Sequence, residues 1–397
     1  MSPRTSVDSA PPSLARPVWL LGWVSLVTDS ASEAIYPLLP YFLTQVLGAG
    51  AVSLGVIEGA AEAANSLLKI WSGRASDRRN TRRPLVFAGY ALSSLARPAI
   101  ALAQTWLHVF AVRLVDRIGQ GVRSAPRDAM LASWTTESTR GRVYGFHRGM
   151  DHAGAVLGPV LATAFLFFYP GQYRTLFGLA IIPGAIAVAL IPFVREGADG
   201  TIDSAPTSPS PRAVPSAPLP FELRSFFLVL AFFTLGSSTD AFLLLRLGEV
   251  AGGVRFIPLI WAALHVVKAT TSMAGGVLSD KVGRRAVIAS GWLVYAAVYA
   301  GFAVATDLST LLAWFLVYGL YYGLTEGTEK ALVADLAPEA SRGFAFGLYN
   351  AVSGIGGLIA SVVFGLLWTA FGTGVAFGTG AAISLVAIVL LFAIVRR

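Results

Sequence analysis

The sequence predicts an all-α membrane protein with twelve transmembrane helices in two pseudo-symmetric six-helix bundles. Three observations predict this fold class: an apolar composition, twelve apolar stretches of spanning length, and a motif that recurs about half a chain later. Hydrophobic residues make up 55% of the 397 residues and charged residues only 13%. A soluble protein carries about 25% charged residues, so the composition favours a polytopic membrane protein.

The apolar stretches are long enough to cross a bilayer, whose hydrocarbon core of about 30 Å needs about 20 helical residues. In the first half they run over 17–47, 52–72, 84–104, 106–133, 143–168 and 174–194. In the second half they run over 221–248, 254–278, 285–305, 308–334, 343–371 and 374–395. The chain therefore divides into a tail (1–16), a first bundle (17–195), a linker (196–220) and a second bundle (221–397). The linker is rich in Gly, Ser, Thr, Ala and Pro, which predicts a flexible segment.

Positive charges concentrate in alternate loops. Cations cluster in the loops after spans 2, 4, 8 and 10 and at both chain ends, whereas the opposite loops hold only Arg174 and Arg255. By the positive-inside rule, both termini are predicted to be cytoplasmic in a multi-pass protein of the inner cell membrane. This placement of the net charge of +8 predicts a lipid bilayer as surroundings and no nucleic-acid partner.

A basic loop after span 2 recurs after span 8, 203 residues later. Residues 73–83 read GRASDRRNTRR, and residues 276–285 read GVLSDKVGRR. In each copy a glycine precedes an aspartate by four residues, and cations follow. Such repetition is the sequence sign of a transporter built from two bundles. The motif residues are Gly73, Asp77 and Arg78 in the first copy and Gly276, Asp280 and Arg284 in the second.

Both loops resemble the G-x-x-x-D-[RK]-x-G-R-[RK] signature between helices 2 and 3 of major facilitator superfamily transporters, although Arg74 and Asn80 depart from it. Residues 117–121 (RIGQG) resemble that family's helix 4 element R-x-x-Q-G, and residues 338–343 (PEASRG) its P-E-x-x-R-G segment before helix 11. Residues 154–159 (GAVLGP) resemble the helix 5 motif of its antiporters. The resemblance implies that family's fold, alternating access, a lean towards antiport and a part in proton coupling for Arg117. The other matched motif positions are Gln120, Gly154, Gly158, Pro159 and Arg342.

Span 1 carries two acids at membrane depth. An ionisable residue there costs at least about 2.5 kcal/mol, so it should face a cavity or a partner. Asp29 lies about 18 Å along the helix, near the bilayer middle, and Glu33 and Tyr36 follow on the same face. We expect these acids to carry protons or bind the positive end of a solute. The alternative is structural pairing with basic neighbours.

Spans 2 and 4 add a polar stripe and two arginines. Glu58, Glu62, Asn65 and Lys69 share one face of span 2, which suits a pore or a helix interface equally well. Arg113 and Arg117 share a face of span 4; they can hold an anion bidentately or tune a facing carboxylate. The alternative for Arg117 is a structural pair with an acid of span 1 or 2.

The remaining candidates lie on spans 5, 7, 8, 10 and 11. Asp240 is predicted at a depth similar to that of Asp29, and His152 can titrate near neutral pH or simply be hydrogen-bonded. Tyrosines of span 10 beside a carboxylate suit a partly apolar solute with a polar end, although such rings often only pack. The further candidates are Asp151, Lys268, Tyr322, Glu326 and Asn350.

A charged doublet recurs with inverted sign order at the cytoplasmic ends of spans 4 and 10. Arg127-Asp128 and Glu329-Lys330 are 202 residues apart. We expect them to approach each other only when the cytoplasmic side is closed; the alternative is that each bonds within its own bundle. Other charged residues assigned to this gate are Arg123, Arg140 and Arg342.

No motif of an enzyme is present. The sequence lacks a Walker-type loop, Gly-x-Ser-x-Gly and His-Glu-x-x-His, and four His with no Cys make a metal site unexpected. We therefore expect no enzyme, no metal and no cofactor, with the proton gradient as the energy source.

These observations predict a secondary active transporter, and proton-coupled export of a small amphiphilic or cationic compound is the leading hypothesis. The first alternative is proton-coupled uptake of an anionic solute, such as a sugar phosphate or carboxylate, held by Arg113, Arg117 or Lys268. An alternative of another class is a non-transporting receptor or a lipid-moving protein. The expected partners are a small-molecule substrate and protons, and the expected state is a monomer.

Overall fold

A computed structural model describes residues 14–77, 82–135, 139–195, 219–338 and 341–395 of the chain. These residues are almost entirely helical. Nine of the segments within them are long and apolar enough to cross a membrane. The three other long helices of the first bundle, Arg16–Ile35, Ala51–Asp77 and Trp106–Ala132, each carry charged residues within the span. Polar groups therefore lower the mean hydropathy in the first bundle specifically.

The first bundle contains six helices, and prolines alter the path of the first. Beyond Pro37 and Pro40, α1 continues as a tight turn, a short helix and a wide π turn, because proline lacks the N–H that a regular helix needs. The bounds are α1 (Arg16–Ile35, continued by Tyr36–Leu38, Leu39–Tyr41 and Phe42–Val46), α2 (Ala51–Asp77), α3 (Arg83–Ala96, continued by Arg97–Leu102), α4 (Trp106–Ala132), α5 (Arg140–Phe168) and α6 (Tyr173–Leu179, Ile181–Leu190 and Ile191–Phe193).

The second bundle repeats this plan. Its helices are α7 (Phe221–Leu235 and Asp240–Ala251), α8 (Ile257–Val282), α9 (Arg284–Val304), α10 (Leu308–Leu336), α11 (Arg342–Phe371) and α12 (Thr373–Ile394). Corresponding helices pack in both halves: α2 on α4 as α8 on α10, and α3 on α4 as α9 on α10. The predicted twelve-helix fold with two pseudo-symmetric bundles is confirmed.

Two helix pairs form the most extensive contacts between the bundles, α2 with α11 and α5 with α8. Glycine makes the first pair possible, because a Cβ on Gly55 would lie 2.2 Å from the Ser361 carbonyl oxygen. Within the first bundle, Gly154 and Gly158 bring α5 equally close to α1, where a Cβ on Gly158 would lie 2.2 Å from the Ser30 carbonyl oxygen. The small residues of the antiporter-like motif thus allow α5 and α1 to pack closely together.

The two bundles are sealed together at the end of the molecule away from the linker, which we call the far end. One apolar cluster contains buried side chains of both bundles. At the far end it includes Leu38 and Phe42 of the first bundle and Phe242 and Leu243 of the second, and within the second bundle it continues to the linker end, as far as Leu391. The linker half of the first bundle has a separate apolar cluster, made of its own residues alone, such as Tyr90. The described residues therefore show a conformation closed at the far end.

Candidate functional site

A break in α7 positions the principal acid of the second bundle. The span predicted over 221–248 is a single segment of spanning length, Phe221–Ala251, but its helix is interrupted between Leu235 and Asp240. Thr239 caps the second segment by accepting from the Ala241 N–H at 3.4 Å. Asp240 therefore lies in a first helical turn, where the helix dipole favours a carboxylate.

Tyrosines of α9 satisfy the backbone groups that this break exposes. The Tyr295 hydroxyl donates to the Gly236 carbonyl at 3.4 Å, and the Tyr299 hydroxyl lies 2.7 Å from Ser238 Oγ. Irregular backbone at membrane depth is tolerated only where protein or water supplies such partners. The break in α7 is therefore stabilised by side chains of the second bundle.

Asp240 collects two hydroxyls and one ammonium. Its Oδ1 accepts from Tyr318 and from Tyr322, each at 2.7 Å. The Nζ of Lys268 lies 3.5 Å from Asp240 Oδ2 and also 3.5 Å from the centre of the Tyr322 ring. The Trp261 ring is 5.1 Å from the same ammonium. Lys268 is thus held by a carboxylate and by aromatic faces, an arrangement that suits a cation.

Glu33 and Tyr36 of α1 reach this group from the first bundle. Glu33 Oε2 accepts from Trp261 Nε1 at 2.7 Å and lies 3.7 Å from His265 Nε2. This acid–histidine contact is the sole ion-pair contact between the bundles in the described part of the chain. The Tyr36 hydroxyl lies 3.4 Å from Thr239 Oγ1. We call Glu33, Tyr36, Asp240, Trp261, His265, Lys268, Tyr318 and Tyr322 the central site.

Asp29, one turn before Glu33, has no comparable partner. Its carboxylate makes no hydrogen bond or ion pair with any other described residue. It is partly exposed, and its Cβ lies 3.0 Å from the position a Cβ would take on Gly154 of α5. A mid-helix carboxylate without a fixed partner is available for a proton or a solute cation.

Arg113 is enclosed in a balanced network of four charges. Its guanidinium bonds both oxygens of Glu58, at 2.9 and 2.7 Å, and lies 3.5 Å from Asp116. Asp116 in turn accepts from Arg97 at 2.9 Å, and Arg97 also donates to the Thr28 carbonyl. All four charged side chains are at most 6% exposed. Arg113 is therefore held in a structural network that includes Arg97, which the sequence did not single out, and its expected role in holding a solute stays a prediction.

Arg117, one turn along α4, is differently placed. Its Nη1 donates to Gln120 Oε1 at 2.5 Å, and its buried Nε has no hydrogen-bond partner. It forms no ion pair with a described acid, so the structural pair with an acid of α1 or α2 is not present. Its charge acts on Glu33 of the central site. Glu62 of α2 accepts a hydrogen bond from Asn65 of the same helix at 3.1 Å.

Asp151 forms a second polar group against α1. It accepts a hydrogen bond from Ser25, and its carboxylate oxygens lie 3.5 Å from His147 Nδ1 and 3.6 Å from Arg148 Nη1. The sequence analysis singled out His152, which lies near His265 of α8, and missed His147. The spacing of four between His147 and Asp151 was the available signal.

The span 10 candidates separate into two groups. Tyr322 belongs to the central site, beside Tyr318 and Tyr321, whose rings lie 5.2 and 5.0 Å from its own. Glu326 pairs with Lys330 on the same helix at 3.2 Å and is largely exposed. Asn350 of α11 is half-buried.

The charged doublets do not meet in this conformation. Arg127 bonds its neighbour Asp128 at 3.0 Å. Glu329 points into its own bundle, where it accepts from Trp292 Nε1 at 3.0 Å and from the Tyr349 hydroxyl at 2.9 Å. Their approach in a state closed at the linker end stays a prediction, and it requires Glu329 to leave both donors.

The motif loops are described only in part. Arg284 pairs with Asp280 at 2.6 Å and with Asp335 at 3.3 Å, and Arg123 donates to Ser93 Oγ at 2.6 Å. A Cβ on Gly73 would lie 3.5 Å from the Ala125 Cβ of α4, whereas a Cβ on Gly276 would meet no atom within 4 Å. Arg78 and the side chains of Asp77, Arg140 and Arg342 lie outside the described residues.

The profile of the Major Facilitator Superfamily matches residues 19–263 and 247–397. This chain belongs to the major facilitator superfamily. It is accordingly an integral, multi-pass membrane transporter and not an enzyme.

Relatives of this superfamily member have varied names. An uncharacterised MFS-type transporter of Methanocaldococcus jannaschii is 33% identical over 367 residues, 89% of each chain. The hexuronate transporter of Bacillus subtilis is 27% identical over 310 residues, 72% of this chain and 71% of its own. The multidrug resistance protein MdtH of Aeromonas hydrophila is 25% identical over 163 residues, 41% of each chain.

A solved structure agrees in fold. The bacterial homologue of the human lysosomal transporter Spinster, in an inward-facing and unoccupied conformation, gives a TM-score of 0.72 at 16% identity. The comparison covers 98% of this chain and 96% of that one. At this identity the likeness concerns the fold alone.

Proposed function

We propose that this transporter exports a small amphiphilic or cationic organic compound in exchange for protons. One observation carries the proposal: two carboxylates, Glu33 and Asp240, face one aromatic wall where the bundles meet. Carboxylates attract the positive end of a solute, and the faces of Trp261 and Tyr322 stabilise a cation and its apolar part. Because both bundles supply acids, their separation would change this site.

Proton coupling is assigned to Asp29. Its carboxylate lacks a fixed partner in the described part of the chain, so protonation breaks no ion pair. Glu33 lies one turn away on the same helix. A proton on Asp29 and a positively charged group beside Glu33 would each reduce the negative charge of the same face, so we propose that the proton and the solute bind alternately.

We further propose the orientation of the molecule. With both termini and the linker in the cytoplasm of a cell with an inner membrane, the sealed far end faces outward and the described conformation is inward-facing. The cation-rich linker-end loops support this placement. A single chain contains both bundles and the whole central site, which supports transport by a monomer.

A second candidate is uptake of an anionic solute with protons. Arg117 supports it, because its guanidinium has no carboxylate partner among the described residues and can bind an anion bidentately. The Bacillus subtilis relative named a hexuronate transporter supports it as well. Arg113 and Lys268 do not, since each already pairs with an acid.

Proteoliposomes with an imposed pH gradient distinguish these candidates. Phenyltrimethylammonium, a permanently charged amphiphilic ammonium, serves as the cation and glucuronate as the anion, and a pH-sensitive dye inside the vesicles reports proton movement. The proposal expects phenyltrimethylammonium to drive protons in the opposite direction to its own movement. Proton movement in the same direction as glucuronate would support the second candidate. A folded protein that moves neither solute nor protons would contradict both and favour a receptor or a lipid-moving protein.

A further inference from the structure

The ammonium of Lys268 has the surroundings of a bound cationic ligand. It lies 3.5 Å from Asp240 Oδ2, 3.5 Å from the Tyr322 ring centre and 5.1 Å from the Trp261 ring centre. The Lys268 and Asp240 side chains are only 13% and 14% exposed. Two tyrosine hydroxyls fix the other oxygen of the acid. The carboxylate and the rings are therefore preorganised around one positive charge.

We propose that Lys268 is a tethered stand-in, occupying in the empty carrier the position that the ammonium group of the substrate takes during transport. This inference rests on the proposed function and deepens it, because it names a compact organic ammonium as the group recognised. The stand-in compensates the buried charge of Asp240 in the empty carrier. Without a cation, the Asp240 carboxylate would stay in a largely buried aromatic site, where an uncompensated charge is costly.

Lys268 has a second acid to move to when a substrate arrives. Its charge acts on Glu33 as well as on Asp240, and Trp261 contacts both Lys268 and Glu33. A lysine stem is flexible and carries a compact charge, so the ammonium can exchange one carboxylate for the other. The other groups whose charges reach Glu33 are Arg113, Arg117 and Asp29, besides the imidazole of His265.

The same geometry argues against Lys268 as an anion receptor. An anionic solute would need this ammonium free, but its acid partner and one ring already surround it. Binding an anion there would leave Asp240 without its cation at a site of low exposure. A solute ammonium, by contrast, leaves each carboxylate with a positive partner.

Removing the stand-in should create a vacant ammonium site. We would measure n-butylammonium binding to the purified full chain in detergent by isothermal titration calorimetry. Lys268→Met should bind this probe at least tenfold more tightly than the wild type. The double variant Lys268→Met with Asp240→Asn should lose that gain, and Lys268→Arg should not show it because a guanidinium refills the position. Lys281→Met, on the exposed last turn of the same helix, is the matched control and should behave as wild type.

Three results would overturn the inference. One is a folded Lys268→Met protein that binds n-butylammonium no better than the wild type. Another is wild-type glucuronate binding that disappears in Lys268→Met, which would make Lys268 an anion receptor. The third is tight n-butylammonium binding by Lys268→Met that persists when Asp240→Asn is added, since the Asp240 carboxylate would then not hold the probe. Should Lys268→Met fail to fold, Lys268→Gln takes its place in the same three tests. The binding assay needs no gradient. A negative binding result would therefore contradict the inference about Lys268 without bearing on proton coupling, and a negative transport result would contradict the proposed function without deciding the role of Lys268.

Discussion

The buried four-charge network makes a quantitative prediction about Glu58. Glu58→Gln removes the carboxylate that holds Arg113 through two hydrogen bonds of 2.9 and 2.7 Å. Breaking a buried ion pair by removing one partner costs about 3–5 kcal/mol, because the remaining charge is left uncompensated. Asp116 stays 3.5 Å from Arg113, so we expect the lower value, about 3 kcal/mol. This loss of free energy corresponds to a change of about a hundredfold in the equilibrium constant of unfolding.

The measurement is reversible unfolding in mixed detergent micelles, followed by circular dichroism. Asp335→Asn is the control, since its pair with Arg284 spans 3.3 Å with side chains 56% and 27% exposed and should contribute about 1 kcal/mol or less. Replacing both partners, as in Glu58→Leu with Arg113→Met, should recover at least half of the loss. The reasoning is refuted if Glu58→Gln unfolds at the wild-type midpoint, or if the double variant is less stable than the single one.

The remaining predictions concern packing, Arg117 and the gate. Gly158→Val should sharply reduce the yield of folded protein, because even a Cβ would lie 2.2 Å from the Ser30 carbonyl oxygen; wild-type yield in a detergent size-exclusion assay would contradict this. Arg117→Gln should keep stability within about 1 kcal/mol of wild type, since no ion pair is lost, yet shift the pH optimum of transport; an unchanged profile would make Arg117 structural. Arg127→Glu should increase labelling of a cysteine introduced into the linker-end cavity, and adding Glu329→Arg should restore the original labelling; failure to restore it in folded protein would mean that the doublets do not meet.

The sequence was sufficient for the helices but not for the side-chain partners. Spanning length and apolar composition predicted the helix positions within a few residues, because a bilayer imposes both. The acids of α1 were identified because charge at membrane depth is rare and costly. Which acid joins which cation depends on helix rotation and tilt, so Arg113 was assigned to a solute although it bonds Glu58 of another helix.

Two further features arise from tertiary structure. The break in α7 had local signals in Gly236 and Thr239, but an apolar stretch of spanning length outweighed them. From the sequence, Lys268 was only a cation at membrane depth that could hold an anionic solute. Lys268 of α8 contacts Asp240 of α7 and the Tyr322 ring of α10. No spacing within one helix predicts such contacts.

A loop acid supplies the control for any test of proton coupling. Asp307 lies outside the spanning segments and accepts from Ser309 Oγ at 2.6 Å and from the Thr310 N–H at 2.9 Å. These hydrogen bonds lower the pKa of Asp307 to about 2. The group therefore stays ionised throughout a transport assay near neutral pH, and Asp307→Asn should leave the pH profile of transport unchanged.

The most direct test of proton-coupled transport is uphill accumulation of phenyltrimethylammonium by proteoliposomes that contain Asp29→Asn protein, compared with wild type and Asp307→Asn. We predict that the wild type and Asp307→Asn accumulate the cation against its gradient when a pH gradient is imposed. Asp29→Asn should exchange labelled for unlabelled cation at equal concentrations but fail to accumulate it. Accumulation by folded Asp29→Asn protein with the wild-type pH dependence would contradict the proposed coupling.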